Sequence, residues 1–252
     1  MSDGLAARIA EVVADADDAQ LATVLDVVRS SVDDPRALRR HLERRAPISI
    51  RDDLLGLFRG QDAAAVLVAL DAALAVASLE RDRHGRGELV WTGPPTQTLR
   101  VRPTRAVVHE LIERATHRLT LVTFASHDIK PLIHDLDRAR LDRGVAVRVI
   151  LETREDSAGG TGPDAVKALA YLQYAIPIYR WPGELRGPNG ASMHVKCVVR
   201  DREEALISSA NLTSAAMDRN MELGLLVRGG RTPRRIEQHF DDLIADGELQ
   251  PL

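Results

Sequence analysis

From Gly4 to about Leu79, apolar residues recur at three- and four-residue spacing, in LAARIAEVVADA, LATVLDVVRS and DLLGLFRGQDAAAVLVALDAALAVASL. That rhythm predicts amphipathic helices. Asp34-Pro35 opens a short helix among them, with Pro35 suited to the first turn. The expectation is about five helices packed as a bundle. The region holds no metal or nucleophile constellation and reads as a scaffold, a dimerisation element or a docking surface; the residues do not choose among these. The polar, glycine-containing ERDRHGRGE, residues 80–88, reads as a hinge, which sets the expected division at a helical region 1–86 and a second domain 87–252.

Past the hinge the rhythm changes. ELVWTG and LTLVTF read as strands, separated by a helix across TRAVVHELIERATH that Thr104 is placed to cap. A helix over IKPLIHDLDRARLDRG follows, with Pro131 in its first turn. Then come the strand VAVRVILE, a glycine-rich loop SAGGTGPD, a helix AVKALAYLQYA and the strand IPIYRW. Strand–helix alternation of this kind indicates an α/β layer with a mostly parallel sheet.

A chain of 252 residues can bury a substantial core. Aromatic residues make up only 3%, so that core must rest on Leu, Val, Ile and Ala. The single cysteine, Cys197, excludes an intramolecular disulfide and a cysteine-cluster zinc site. The N-terminus lacks the basic start of a signal peptide, and no apolar run approaches the roughly 18 residues of a membrane span. The expectation is a cytoplasmic chain without a membrane element. Net charge is −3, and residues 1–86 hold 12 Arg against 15 acids, so neither half is strongly basic. Any site for a polyanion must be local. Only three of the 34 basic residues are lysines (Lys130, Lys167, Lys196), so a lysine inside a candidate site carries information.

Candidate chemistry concentrates in MHVKCVVRDREEALISSANLTSAAMDRNME, residues 193–222. On a strand, HVKCVV sends His194, Lys196 and Val198 to one face and Val195, Cys197 and Val199 to the other. Cys197 then packs as a small core hydrophobe rather than a nucleophile. With DREE as a turn centred between Arg202 and Glu203, Lys196 falls opposite Ser209 and His194 opposite Asn211. Directly opposed side chains have Cβ atoms about 5 Å apart, and a one-residue slip would flip the faces. Lys, Ser and Asn can hold non-bridging phosphate oxygens, and a neutral imidazole can attack phosphorus. Glu222 is the available carboxylate to orient that imidazole. Asp201 falls at the turn with opposite parity and is expected to shape the hairpin.

His194-x-Lys196-x4-Asp201-x6-Ser208-Ser209-x-Asn211 closely resembles the HKD motif of the phospholipase D superfamily, with Ser208 where Gly is usual. The resemblance implies a mixed sheet flanked by helices, preceded here by the all-α N-terminal bundle. It implies His194 as the nucleophile forming a phosphohistidine, Glu222 as its orienting acid, and Lys196, Ser209 and Asn211 as phosphate ligands. It also implies that neither metal nor cofactor is needed. The superfamily uses two such motifs, yet no second H-x-K occurs; His127-Asp128-Ile129-Lys130 is wrong by one residue. Single-motif members resemble small bacterial Nuc-type endonucleases, which implies a homodimer with the second copy's His194 as general acid. The helical N-terminus, LVWTGP and one C-terminal motif also resemble the phospholipase D-like component of the DISARM anti-phage system, which would add other defence proteins as partners.

The leading expectation is a metal-independent phosphodiesterase acting on nucleic acid, DNA foremost. Alternatives are a phospholipid phosphodiesterase or phosphatidyl transferase, and a non-catalytic nucleic-acid-binding module. SAGGTGP lacks the Lys-Ser/Thr of a nucleotide loop. His127 reads as a solvated loop residue or a strand end near the site. Arg231, Arg234 and Arg235 offer either a line of contacts to a DNA backbone or a solvated helix face.

Overall fold

The computed structural model describes residues 2–15, 18–31, 33–46, 48, 50–124, 126–127, 130–157, 176–187 and 190–252. The helix expected over 165–175 and the glycine-rich loop beyond Ser157 lie outside these. The chain divides into two compact units, residues 1–82 and 83–252.

The first unit is helical: α1 (Ser2–Asp15), α2 (Asp18–Arg29), α3 (Pro35–Arg45), α4 (Arg51–Leu57) and most of α5 (Ala63–His84). Asp34 caps α3, accepting the backbone N–H groups of Arg36 and Ala37, with Pro35 in the first turn. Apolar stripes meet in a core of Val12, Val28, Leu42, Leu54, Leu57 and Leu70. The expectation that no apolar run reaches membrane-span length does not hold for α5, which is long and apolar enough by length and composition to cross a membrane. Asp71 is the one charge between Ala63 and Leu79 and splits the run while leaving it strongly apolar on average. Val66, Leu70 and Leu74 of this helix are buried, whereas Val68, Val76 and Leu79 are exposed.

The second unit is built on strands β1 (Arg86–Thr92), β2 (Arg102–Pro103), β3 (Arg118–Thr123), β5 (Ala146–Leu151), β6 (Ile178–Arg180), β7 (Cys197–Arg200), β8 (Glu204–Ser208), β10 (Glu222–Arg228) and β11 (Gln250–Pro251). They form one sheet in the order β11-β6-β5-β3-β7-β8-β10-β1-β2. The strands β4 (Ser126–His127) and β9 (Leu212–Thr213) pair separately. Pairs β3–β5 and β5–β6 are parallel, as strand–helix alternation predicts. From β7 onward the chain returns by hairpins, so β3–β7, β7–β8, β8–β10 and β10–β1 are antiparallel. The sheet is therefore mixed rather than mostly parallel.

Helices α6 (Thr104–Arg114), α7 (Lys130–Arg143) and the short α8 (Ser214–Asp218) lie on one face, where Leu111, Leu136 and Met217 join Leu121, Val149, Val198 and Leu226 in the main core. On the other face α9 (Thr232–Ala245) brings Phe240 against Val122, Ile150, Cys197, Val199 and Ala205. Thr104 does not cap α6. Pro103 takes that position, and the buried Thr104 hydroxyl instead bonds that of Thr92 at 2.7 Å.

On the α9 face, Leu89, Leu225 and Ile207 lie in direct register across β1, β10 and β8, and Ile207 is in turn paired with Cys197. With Leu223 they remain at least 41% exposed, an apolar strip left uncovered. Val195, two residues before Cys197, is also exposed.

Candidate active site

The motif residues collect at one end of the sheet, where β1 and β3 finish, β7 begins, β8 finishes and β10 begins. The pairing of β7 with β8 differs by one residue from the expected register. Cys197 faces Ile207 and Arg200 faces Glu204. Lys196 therefore meets Ser208, whose N–H donates to the Lys196 carbonyl at 3.1 Å, rather than Ser209. The slip has a cause in the turn. Three residues, Asp201 to Glu203, make the connection, with Asp201 and Arg202 both left-handed at φ 52° and 60°. Asp201 holds that shape because its carboxylate accepts the N–H groups of Thr116, His117 and Arg118 and the Thr116 hydroxyl, at 2.8–2.9 Å. Burial raises the Asp201 pKa, but those three N–H bonds outweigh it and hold the carboxyl below its ordinary value.

His194 to Lys196 form an extended lead-in to β7 rather than part of the strand. His194 is exposed, and its ring lies 5.0 Å from that of Phe124 at a tilt of 53°. Lys196 is 7% exposed. Its ammonium donates to the His194 carbonyl at 2.7 Å and lies 5.5 Å from the Phe124 ring centroid. Burial lowers the Lys196 pKa, opposed by the charge of Glu222.

Beyond β8, the chain places Ser209 against the start of β10. Its N–H donates to the Leu223 carbonyl, and its hydroxyl donates to Glu222 while accepting the Leu223 N–H. Asn220 donates its amide to the other Glu222 oxygen at 3.1 Å. Glu222 thus holds Ser209, and no hydrogen bond joins it to His194. Asn211 is positioned through its neighbour, since the Leu212 N–H donates to Thr123 at the end of β3. The Asn211 side-chain oxygen is buried with no hydrogen-bond partner among the described residues. It borders a void of about 10 Å³ together with Lys196 and Ser208, room for about one water. The backbone of His127 pairs with Thr213, two residues past Asn211. Cys197 is buried on the opposite face, and burial, with the nearby Glu237 charge, raises its thiol pKa to about 12.

Phe124 and the buried pair Glu152–Arg186 carry no motif signal in the sequence. Phe124 was visible as one of few aromatics, directly following an apolar strand. Glu152 follows β5 and is fully buried with Arg186, which it binds through both oxygens at 2.7 and 2.8 Å. The Met193 N–H donates to the same carboxylate. This pair therefore anchors the residue next to His194 to the end of β5. Among the described residues no group of three or more His, Cys, Asp or Glu side chains is arranged to hold a metal ion.

The sheet end thus carries an exposed imidazole, a desolvated cation, a hydroxyl and an amide, groups of the kind that can hold and attack a phosphodiester. A family model described as "Cardiolipin synthase, PLD-like domain" matches residues 108–244. The DISARM protein DrmC of Bacillus paralicheniformis is 27% identical over 150 residues, covering 56% of this chain and 57% of that protein. The chain thus spans little more than half of that relative's length. Two solved structures share the fold: Nuc from Salmonella typhimurium, a phospholipase D family member, and NucT from Helicobacter pylori. The first has a TM-score of 0.50 at 17% identity over 66% of this chain and 97% of Nuc; the second has 0.50 at 15% over 66% and 100%. The family match extends over more than half of the sequence, and the chain belongs to the phospholipase D-like domain family.

Proposed function

We propose that this chain is a phosphodiesterase that cleaves nucleic acid, DNA foremost, in bacterial defence against phage. The observation that carries the reading is the gathering of His194, Lys196, Ser209, Asn211 and Glu222 at one sheet end of a phospholipase D-like chain. The His194 imidazole attacks phosphorus and forms a P–N bond as the P–O bond to the leaving strand breaks. Lys196 and Asn211 hold the non-bridging oxygens, joined by Ser209 once its hydroxyl proton turns from Glu222 to the phosphate. The leaving oxygen takes its proton from His194 of a second copy, and that imidazole then takes a proton from the water that cleaves the phosphohistidine. Water and one phosphodiester become a phosphomonoester and an alcohol, and both imidazoles are restored. Glu222 acts through Ser209, whose hydroxyl it orients.

Two observations support completion by a second copy: this chain has one motif histidine, and an apolar strip of Leu89, Ile207, Leu223 and Leu225 borders the site uncovered. Exposed apolar patches of this kind mark association surfaces. The likeness to DrmC supports the defence setting and other defence proteins as partners. The test is cleavage of DNA and RNA by purified protein in excess chelator; no product from either strandedness of either polymer would sink the reading. One observation favours a second reading, a phospholipid phosphodiesterase or transferase: the apolar helix α5. Headgroup release from vesicles, without nucleic-acid cleavage, would establish that reading instead.

A further inference from the structure

A cavity of about 830 Å³ opens beside His194, between the lead-in to β7 and helix α9, within the size range of small-molecule sites. Trp181, Met193, Val195, Ile236, Phe240 and Leu249 give it apolar walls, and His194 itself forms part of its lining. The larger cavity of the second unit, about 1000 Å³ around Trp91 and Arg105, includes none of the motif residues. In a chain with only eight Trp, Tyr and Phe residues, the cavity beside the nucleophile holds two of them.

The walls are held in place from behind. The Arg186 guanidinium lies under the Trp181 ring at 4.9 Å from its centroid and donates to the Trp181 carbonyl. Its buried pairing with Glu152 also fixes Met193, through the Met193 N–H bond to Glu152. On the opposite side, Arg148 ties α9 to the sheet through Glu237 and Asp241, at 2.9 and 2.6 Å. Around these apolar walls stand Arg235, Asp242 and Glu248.

We propose that this cavity is a base-binding subsite, taking one unstacked nucleobase of the strand whose phosphodiester lies at His194. Aromatic and apolar walls suit the face of any base. Arg235 suits the adjoining phosphate, and the Asp242 and Glu248 carboxylates suit the amino groups of bases, donors that an acyl chain lacks. A base can enter only if it leaves the duplex, so the subsite makes single strands and frayed ends the preferred substrate. The inference rests on the nucleic-acid reading above.

A Trp91→Phe variant leaves Trp181 as the one indole. Single-stranded DNA oligonucleotides added to it in chelator should quench Trp181 fluorescence, and abasic oligonucleotides of equal length should not. In otherwise wild-type protein, Trp181→Ala should lower kcat/KM on single-stranded DNA about five- to a hundredfold, the range of one lost base stack, with Trp181→Phe retaining most of it. Equal quenching by the abasic oligomer overturns the proposal, as does quenching by phospholipid vesicles alone or by protein concentration alone. The two failures are separable. DNA cleavage that is indifferent to Trp181→Ala and to base removal defeats the subsite alone. Absence of all nucleic-acid cleavage defeats the nuclease reading, while base-dependent quenching still supports the subsite.

Discussion

Asp201 stands where the superfamily motif has its aspartate, yet its contacts are those of a turn anchor, and replacing it by Ala separates folding from chemistry. The side chain is 2% exposed and holds three backbone N–H groups, a hydroxyl and the Arg200 guanidinium. Bonds to a charged acceptor contribute about 1.5–3 kcal/mol each. Thr116 and His117 are exposed, so water recovers part of what they lose. Alanine at φ 52° adds about 1 kcal/mol. The expected cost is about 4 kcal/mol, lowering Tm by roughly 8–16 °C at about 2–4 °C per kcal/mol for a domain of this size. Asp201→Gly should recover about 1 kcal/mol of it, since glycine takes positive φ freely. Because the folded pKa is depressed, the carboxylate stabilises the fold above its ordinary value near 3.8 and ceases to do so as pH falls through the folded value. The variant should therefore show a flatter acid limb in Tm against pH. His194 lies about 20 Å along the hairpin, so kcat measured well below the variant Tm should stay within about twofold. Calorimetry with single-turnover cleavage reads both quantities. A collapse of kcat with Tm unchanged would refute the assignment and make Asp201 part of the chemistry.

Further perturbations address other parts of the site. Leu225→Arg, in the middle of the exposed apolar strip, should convert a dimer to a monomer by light scattering and remove activity; an active monomeric variant contradicts the shared site. Burial lowers the Lys196 pKa, so cleavage should decline on the alkaline side below the ordinary lysine range as the amine loses its proton. Lys196→Met should lower the rate by about a hundredfold or more and flatten that limb. Arg186→Met strands the buried Glu152 charge and should cost about 3–5 kcal/mol in urea unfolding, whereas Glu152→Met with Arg186→Met should cost far less. The double variant should still cleave slowly, because Met193 loses its anchor next to His194.

Much of the second unit could be read from local pattern. Period-3.6 runs placed α6 and α7, each of which buries one apolar stripe, and short apolar runs placed β1, β3 and β5, of which β3 and β5 are covered on both faces. The β7–β8 register was less legible. DREE reads as a two-residue turn from its own residues, and what lengthens it to three is Asp201 reaching Thr116, His117 and Arg118, over eighty positions away. The same distance hides Glu152–Arg186, whose two residues look like ordinary surface charges in sequence and are both within 1% of full burial. The spacing marks Glu222 as a carboxylate to orient His194, but it bonds Ser209 instead, and that depends on where Ser209 falls after the slip. The apolar character of α5 was masked by a single aspartate.

On the proposed function, His194 carries phosphodiester cleavage of nucleic acid. The most direct measurement compares wild type and His194→Ala on single- and double-stranded DNA, RNA and phospholipid vesicles, all in excess chelator, with circular dichroism confirming the fold. The expected result is DNA cleavage by wild type and a loss of about a thousandfold or more in the variant. Undiminished cleavage by the variant, or headgroup release with intact nucleic acid in the wild type, would contradict it.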